Sequence, residues 1–189
     1  MRPDPGDGFD ITFVDEKTVA ITSIVYTSVA KQQFHFKEGV TIINLKKRRK
    51  TQFIKLPGRT YGTTCYHDSL FVCVKGFSIY KVDTVDYSTS NVIKCDLPWL
   101  SYVSVYNDKI YYTNDNDHSV VCCVVNGSRV WTFRNDLVLR LPRGIVVDND
   151  GTVFVDGELS SNVVIISKDG KHHMDILPKK DCSFRYFLK

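Results

Sequence analysis

The sequence predicts an all-β fold: a β-propeller-like array of about four four-stranded blades, left as an incomplete, open ring. Three observations carry this expectation. Short runs of β-branched and aromatic residues alternate with Gly, Asp, Asn and Pro, and no stretch sustains a helical period. The runs return in quartets roughly every 40 to 45 residues, the spacing of propeller blades. A Leu-Pro pair closes or follows the fourth run of every quartet: Leu56-Pro57, Leu97-Pro98, Leu141-Pro142 and Leu177-Pro178. Proline lacks the N–H that a continuing ladder needs, so it stops pairing and hands the chain to the next blade.

In the first quartet the runs are Asp10 to Val14, Thr18 to Thr22, Val40 to Leu45 and Gln52 to Leu56. The second offers Gly62 to Tyr66, Ser69 to Cys73, Phe77 to Val82 and Val92 to Cys95. The third has Tyr102 to Tyr106, Lys109 to Thr113, Ser119 to Val124 and Val130 to Phe133. The fourth has Gly144 to Asp148, Thr152 to Asp156, Asn162 to Ser167 and His172 to Leu177. Equivalent starts lie 52, 40 and 42 residues apart, and the excess in the first quartet falls at Ser23 to Gly39, between its second and third runs. One domain over 1–189 is expected, with blades at about 9–57, 61–98, 101–142 and 143–178 and a truncated tail at 179–189. Middle runs such as VVII at 163–166 are apolar on consecutive residues, so they need cover on both faces, which neighbouring blades supply.

The turns explain what otherwise resembles a metal loop. Asp148-Asn149-Asp150-Gly151 occupies the place held by Asp15-Glu16-Lys17, His67-Asp68 and Asn107-Asp108 in the other quartets. Asp, Asn and Gly suit the backbone angles of a hairpin turn, whereas a calcium loop needs a downstream bidentate Glu, and TVFVDGE offers a strand instead. Asn114 to His118 fails the same test. His172 and His173 are adjacent on a predicted outer strand, so they face opposite ways and cannot share one metal. Asn126-Gly127-Ser128 reads as a tight turn rather than a glycosylation acceptor. His67-Asp68 sits in a turn opposite no fixed nucleophile, so it does not make a hydrolase triad. No cofactor, metal or catalytic group is expected, and the chain is predicted not to be an enzyme.

Composition sets wider bounds. At 189 residues the chain can bury roughly 70% of its unfolded surface without staples. Hydrophobic content of 43% with 24% charged residues argues against disorder, and a net charge of +4 permits an anionic partner without implying one. No run approaches the roughly 20 apolar residues that span a bilayer, and the N-terminus lacks a basic-then-apolar signal, so a cytoplasmic location and no membrane partner are expected. Six cysteines without a Cys-x-x-Cys pair are predicted to be reduced core residues.

PRGIVVDNDGTVFV followed by SSNVVIISKDGK resembles the NHL-repeat propellers at the C-terminus of tripartite-motif proteins, chiefly the invertebrate-type set. The likeness is carried by Pro142, Gly144, Ile145, Val147, Asp148, Asp150, Gly151, Asn162 and Gly170. It weakens in the second and third quartets, where Cys65-Tyr66 and Val105-Tyr106 replace the Val-Asp step. Intact relatives would be RING-type ubiquitin ligases, but no RING, B-box or coiled coil is present in this sequence, so ligase chemistry is not expected of it. About six blades are usual in the family, and the CSFRYFLK tail stops where another inner strand should begin. The resemblance implies a non-catalytic protein-interaction module like the substrate-recruiting propeller of these ligases; the alternative is an RNA-binding propeller acting in post-transcriptional regulation.

Blade geometry sorts the loops. Those joining strands two and three, together with the blade-to-blade connections, share one face; the remaining turns share the other. The first face is the expected partner surface, with Arg59, Lys75, Arg143, Lys179 and Lys180 beside Asp115, Asp117, Asp156 and Glu158, and neither sign prevails. Base stacking would need exposed aromatics, for which Trp99 and Tyr61 are the candidates. The basic run Leu45 to Lys50 belongs to the opposite face and reads as a solvated hairpin tip, with a nuclear signal or a phosphate-binding patch as the alternative. An open arc also leaves the outer faces of its terminal blades bare, which predicts self-association.

Overall fold

Alternation of inward and outward side chains, broken by turn residues, is what the chain folds on. In a computed structural model describing residues 6–29 and 33–176, the runs become sixteen strands, with no helix among the described residues. Blade 1 comprises β1 (Gly6–Asp15), β2 (Thr18–Val29), β3 (Gln33–Asn44) and β4 (Arg49–Lys55). Blade 2 holds β5 (Thr60–Tyr66), β6 (Ser69–Val74), β7 (Ser78–Asp83) and β8 (Thr89–Lys94). Blade 3 holds β9 (Val103–Tyr106), β10 (Lys109–Asn114), β11 (Ser119–Val124) and β12 (Arg129–Arg134). Blade 4 holds β13 (Pro142–Val147), β14 (Val153–Gly157), β15 (Asn162–Ile166) and β16 (His173–Asp175). Each blade is an antiparallel sheet with its strands in chain order. The four form a propeller that is not closed: β1 packs on β5, β5 on β9 and β9 on β13.

Three apolar layers lie between successive blades. Ala20, Val40, Ile42 and Ile54 of blade 1 meet Leu70, Val72, Val74 and Val82 of blade 2. Phe71, Cys73, Ile79 and Ile93 meet Val103, Ile110, Tyr112 and Cys123. Tyr111, Val120, Cys122 and Phe133 meet Val153, Val155, Val164 and Ile166. Strand alternation explains the adjacent cysteines: Cys122 enters the layer shared with blade 4 and Cys123 the layer shared with blade 2. Cys65, Cys73, Cys95, Cys122 and Cys123 are all free thiols, and burial pushes Cys95 and Cys122 up to about 11. A fully buried side chain of this size contributes roughly 1.5–3 kcal/mol, so these layers, rather than turn chemistry, hold the blades together.

Polar clips add register. The Thr22 hydroxyl accepts the Asp10 N–H at 3.0 Å and donates to the Tyr61 carbonyl of the next blade at 2.5 Å. Thr60 donates to the Gly39 carbonyl at 2.9 Å, and the Thr63 N–H donates to the Asp10 carboxylate at 2.8 Å. Between blades 2 and 3 the Gly62 N–H donates to the Ser101 carbonyl at 2.9 Å.

The structure corrects four local expectations. The excess at Ser23 to Gly39 is not a connection between runs: β2 and β3 continue through it, pairing from Thr18↔Asn44 as far as Val29↔Gln33. Antiparallel pairing of β-branched residues can extend a hairpin beyond its sheet at no cost in register, which is why a repeat alignment misreads it as an insertion. Pro142 opens β13, opposite Gly157, instead of closing the preceding strand; a first strand position tolerates its missing N–H. His172 lies just before β16, its N–H turned to the Ser167 hydroxyl, while His173 is on the strand with its ring tilted against Phe133. Tyr61, offered as an exposed aromatic, is buried, as its neighbours explain below. Leu177-Pro178 and the 179–189 tail lie outside the described residues.

The turn reading of DNDG is what the structure shows. Asp148 Oδ1 accepts the N–H groups of Asp150 at 2.9 Å and Thr152 at 2.8 Å, and Gly151 takes φ +86°. The turn is gripped from blade 3, where the Tyr106 hydroxyl donates to the Asn149 carbonyl. The second Asp-Gly turn is held likewise: the Trp131 indole N–H donates to the Lys168 carbonyl at 3.0 Å, and its ring lies on Gly170, whose φ is +73°. A side chain at Gly170 would meet that ring, so glycine is required here by packing as well as by φ.

Candidate functional site

Of the two faces, the one bearing the β2–β3-type loops and blade connections gathers most of the nominated residues, and it does so in two clusters. In the first, Trp99 stands half exposed on the connection between β8 and β9. The Lys75 ammonium lies 3.3 Å from its ring centroid, and the Arg59 guanidinium 5.0 Å. Arg59 also reaches Glu38 on β3 at 3.4 Å. Lys75 is placed by the β6–β7 turn, where its N–H donates to the Arg59 carbonyl at 2.9 Å and the next residue, Gly76, takes φ +71°. Among the described residues no ion pair joins Lys75 to a carboxylate. Beneath Trp99, Tyr61 is only 2% exposed, edge-on to Phe9 at 5.0 Å and tilted against Trp99 at 6.3 Å. Burial raises its phenol above the ordinary value. Tyr61 therefore supports Trp99 and is not itself a stacking platform.

The second cluster is internally neutralised. The Arg143 guanidinium, on β13, donates from Nη1 to Asp115 at 2.7 Å and from Nε to Glu158 at 2.7 Å. Asp115 belongs to the β10–β11 loop and Glu158 to the β14–β15 loop, so one arginine ties the loops of blades 3 and 4. Arg143 and Asp115 are largely shielded, their side chains 17% and 11% accessible, whereas Glu158 is at 60%. Asp117 is drawn into its own turn by Asn114. Lys179 and Lys180 lie outside the described residues.

Asp156 sits at the end of β14, where blades 1 and 3 carry Thr22 and Thr113. Each of those hydroxyls accepts a backbone N–H on the inner-strand side of its blade, from Asp10 within β1 and from Tyr102 just before β9 respectively. Asp156 does the same for Gly144. Burial pushes its carboxyl up to about 6; the Gly144 N–H opposes this, Glu158 adds to it and Arg143 opposes it. Because the folded value lies above the ordinary 3.8, the native state binds the proton more tightly than the unfolded chain between about pH 4 and 6. Its contribution therefore makes the protein more stable as pH falls through that window, by on the order of 2 kcal/mol. Asp148, held low by the Thr152 N–H, and Asp169, held low by the Ser167 hydroxyl, act in the opposite sense only at lower pH. Urea midpoints measured from pH 7 to 4 should rise less in Asp156→Asn than in the wild type; parallel curves would refute the assignment.

On the other face, Leu45 to Lys50 forms the exposed β3–β4 turn and the start of β4, as expected for a solvated tip. A shallow cleft of about 310 Å³ on that face is lined by Tyr106, Lys109, Asp150 and Lys168, and is bounded by the turns already described. No group of side chains there or elsewhere among the described residues is arranged to hold a metal.

Fold and face together define a β-propeller with a loop-bearing face. No protein-family model and no curated protein sequence matches the chain. Solved structures do. A chain from a nidogen/laminin complex is similar at TM-score 0.65 and 9% identity, with 89% of this chain and 78% of that one covered. A protein of unknown function from Bacteroides thetaiotaomicron VPI-5482 is similar at TM-score 0.62 and 14% identity, with 92% and 61% covered. Another from Bacteroides caccae is similar at TM-score 0.66 and 10% identity, with 89% and 59% covered. The chain thus spans about three-fifths of these two bacterial proteins. At such identities the likeness concerns the fold.

The sequence singled out Trp99, Arg59 and Lys75 separately, and the structure brings them into one contact. It missed Glu38 and Phe9, whose roles arise from blade 1 packing on blade 2. The signal that was available is the spacing of equivalent loops, which places Lys75 and Trp99 on one face.

Proposed function

We propose that the chain is a non-catalytic protein-interaction module that binds a partner through the face centred on Trp99, in the manner of the substrate-recruiting NHL propellers of tripartite-motif ubiquitin ligases. The observation that carries this is a half-exposed tryptophan covered by two cations, with Lys75 lacking a carboxylate partner among the described residues. Large aromatics and arginine dominate binding energy at interfaces, and a cation not already neutralised favours a partner segment bearing a carboxylate beside an apolar side chain. The neighbour similar in fold, a chain from a nidogen/laminin complex, is in keeping with such a role. A cytoplasmic setting accords with the free thiols.

A display library of peptides should yield binders enriched in Asp or Glu next to an aromatic or aliphatic residue. Trp99→Ala and Lys75→Glu should each weaken them by tenfold or more, with thermal midpoints little changed. Binders indifferent to both substitutions would refute the reading. The basic turn Lys46–Lys50 keeps RNA as a second reading. A base stacking on Trp99 would have to displace the cations over its ring, and Tyr61 is not free to replace it. Salt-sensitive binding of single-stranded oligonucleotides, lost on charge reversal at Lys46 and Lys47, would favour RNA instead.

A further inference from the structure

The register of blade 4 shows an apolar face that no strand among the described residues covers. In blade 3 the cross-strand row Ser104–Tyr111–Cys122–Trp131 is turned toward blade 4, and its last three members lie in the apolar layer there. The corresponding row of blade 4 is Val146–Phe154–Ile165–Met174, apolar in every position. Val146 and Met174 are 48% and 61% exposed. At the opposite end, blade 1 presents Ile11 and Phe13, 48% and 67% exposed, at the places where blade 4 carries Ile145 and Val147 against blade 3. Ile21 and Ile43 share that side of the sheet, paired across from Ile11 and from Val19, the partner of Phe13.

Charge tells the two ends apart. Residues 6–56 contain nine Lys and Arg against five Asp and Glu, while residues 142–176 contain three against six. The ends thus carry opposite net charge, which favours a head-to-tail junction and disfavours either end meeting itself.

We infer that the bare face of blade 4 takes blade 1 of a second copy of this chain, and that two copies related by a two-fold axis close one ring through two identical junctions. Two arcs of four blades make eight, within the roughly four to eight over which propellers close. The symmetry also matters: a head-to-tail contact that did not close would run on into a filament.

Sedimentation velocity of the full chain from about 0.1 to 100 µM tests this. A discrete species of twice the chain mass is expected, with an apparent Kd that rises at least tenfold between 0.1 and 1 M salt. Phe13→Glu and Met174→Lys, both at exposed positions, should each weaken the dimer at least tenfold while far-UV circular dichroism stays native. A monomer throughout the range, a ladder of growing polymers, or a dimer broken by only one of the two substitutions would overturn the inference.

Discussion

Replacing Arg143 with alanine is expected to lower stability by about 3 kcal/mol or more, a larger effect than truncating any exposed charge on the molecule. The reason lies in what is left behind. Asp115 is itself buried, one of its carboxylate oxygens has no partner, and the other depends on the Arg143 Nη1 at 2.7 Å. Removing the guanidinium leaves a shielded carboxylate without compensation, which costs more than the pair itself contributes. Glu158 behaves differently. It is 60% accessible, so water screens it, and Glu158→Gln should change stability by no more than about 1 kcal/mol despite an equally short contact. Urea unfolding of Arg143→Ala, Asp115→Asn and the double variant gives the comparison, and the double variant should be more stable than Arg143→Ala alone. A loss under 1 kcal/mol in Arg143→Ala would show that the arginine is not the tie between blades 3 and 4.

Gly62→Ala should cost about 3 kcal/mol, or roughly 6–12 °C in Tm for a chain of this length. No unusual backbone angle is involved. A Cβ at Gly62 would overlap Cα of Tyr102 and lie 2.8 Å from the Ser101 carbonyl oxygen, both backbone atoms that cannot turn aside. Blade 2 would have to retreat from blade 3, stretching the Gly62 N–H to Ser101 hydrogen bond and opening the layer that contains Phe71, Val103 and Tyr112. Gly76→Ala is the control: nothing lies within 4 Å of the added atom, and only the φ of +71° resists it, at a cost of about 1 kcal/mol. Equal losses in the two variants would show that close approach is not what glycine provides at position 62.

Much of this architecture is legible in local pattern. The apolar run SLFVCV at 69–74 is buried at every position, as a strand covered on both faces must be. Asn126-Gly127-Ser128 is a turn because Gly127 takes φ +89° and the Asn126 side chain accepts the Ser128 N–H. The ribbon formed by β2 and β3 escaped notice because a repeat alignment assumes each blade to be the same size. Tyr61 escaped because nothing in its immediate sequence shows that Phe9, some fifty residues earlier, lies against it.

The sequence by itself determined the all-β class, the four-fold repetition, the turns and the sorting of loops to two faces. These follow from interactions between residues close in the chain: strand alternation and the backbone freedom of Asp, Asn and Gly. Only the tertiary structure decided which charges are already neutralised, that Trp99 lies beneath Lys75 and Arg59, and that the outer side of blade 4 has an apolar row that no strand among the described residues covers. Those depend on side chains brought together from different blades, 28 residues apart for Asp115 and Arg143, and a local pattern carries no record of which distant group has taken the other end of a hydrogen bond.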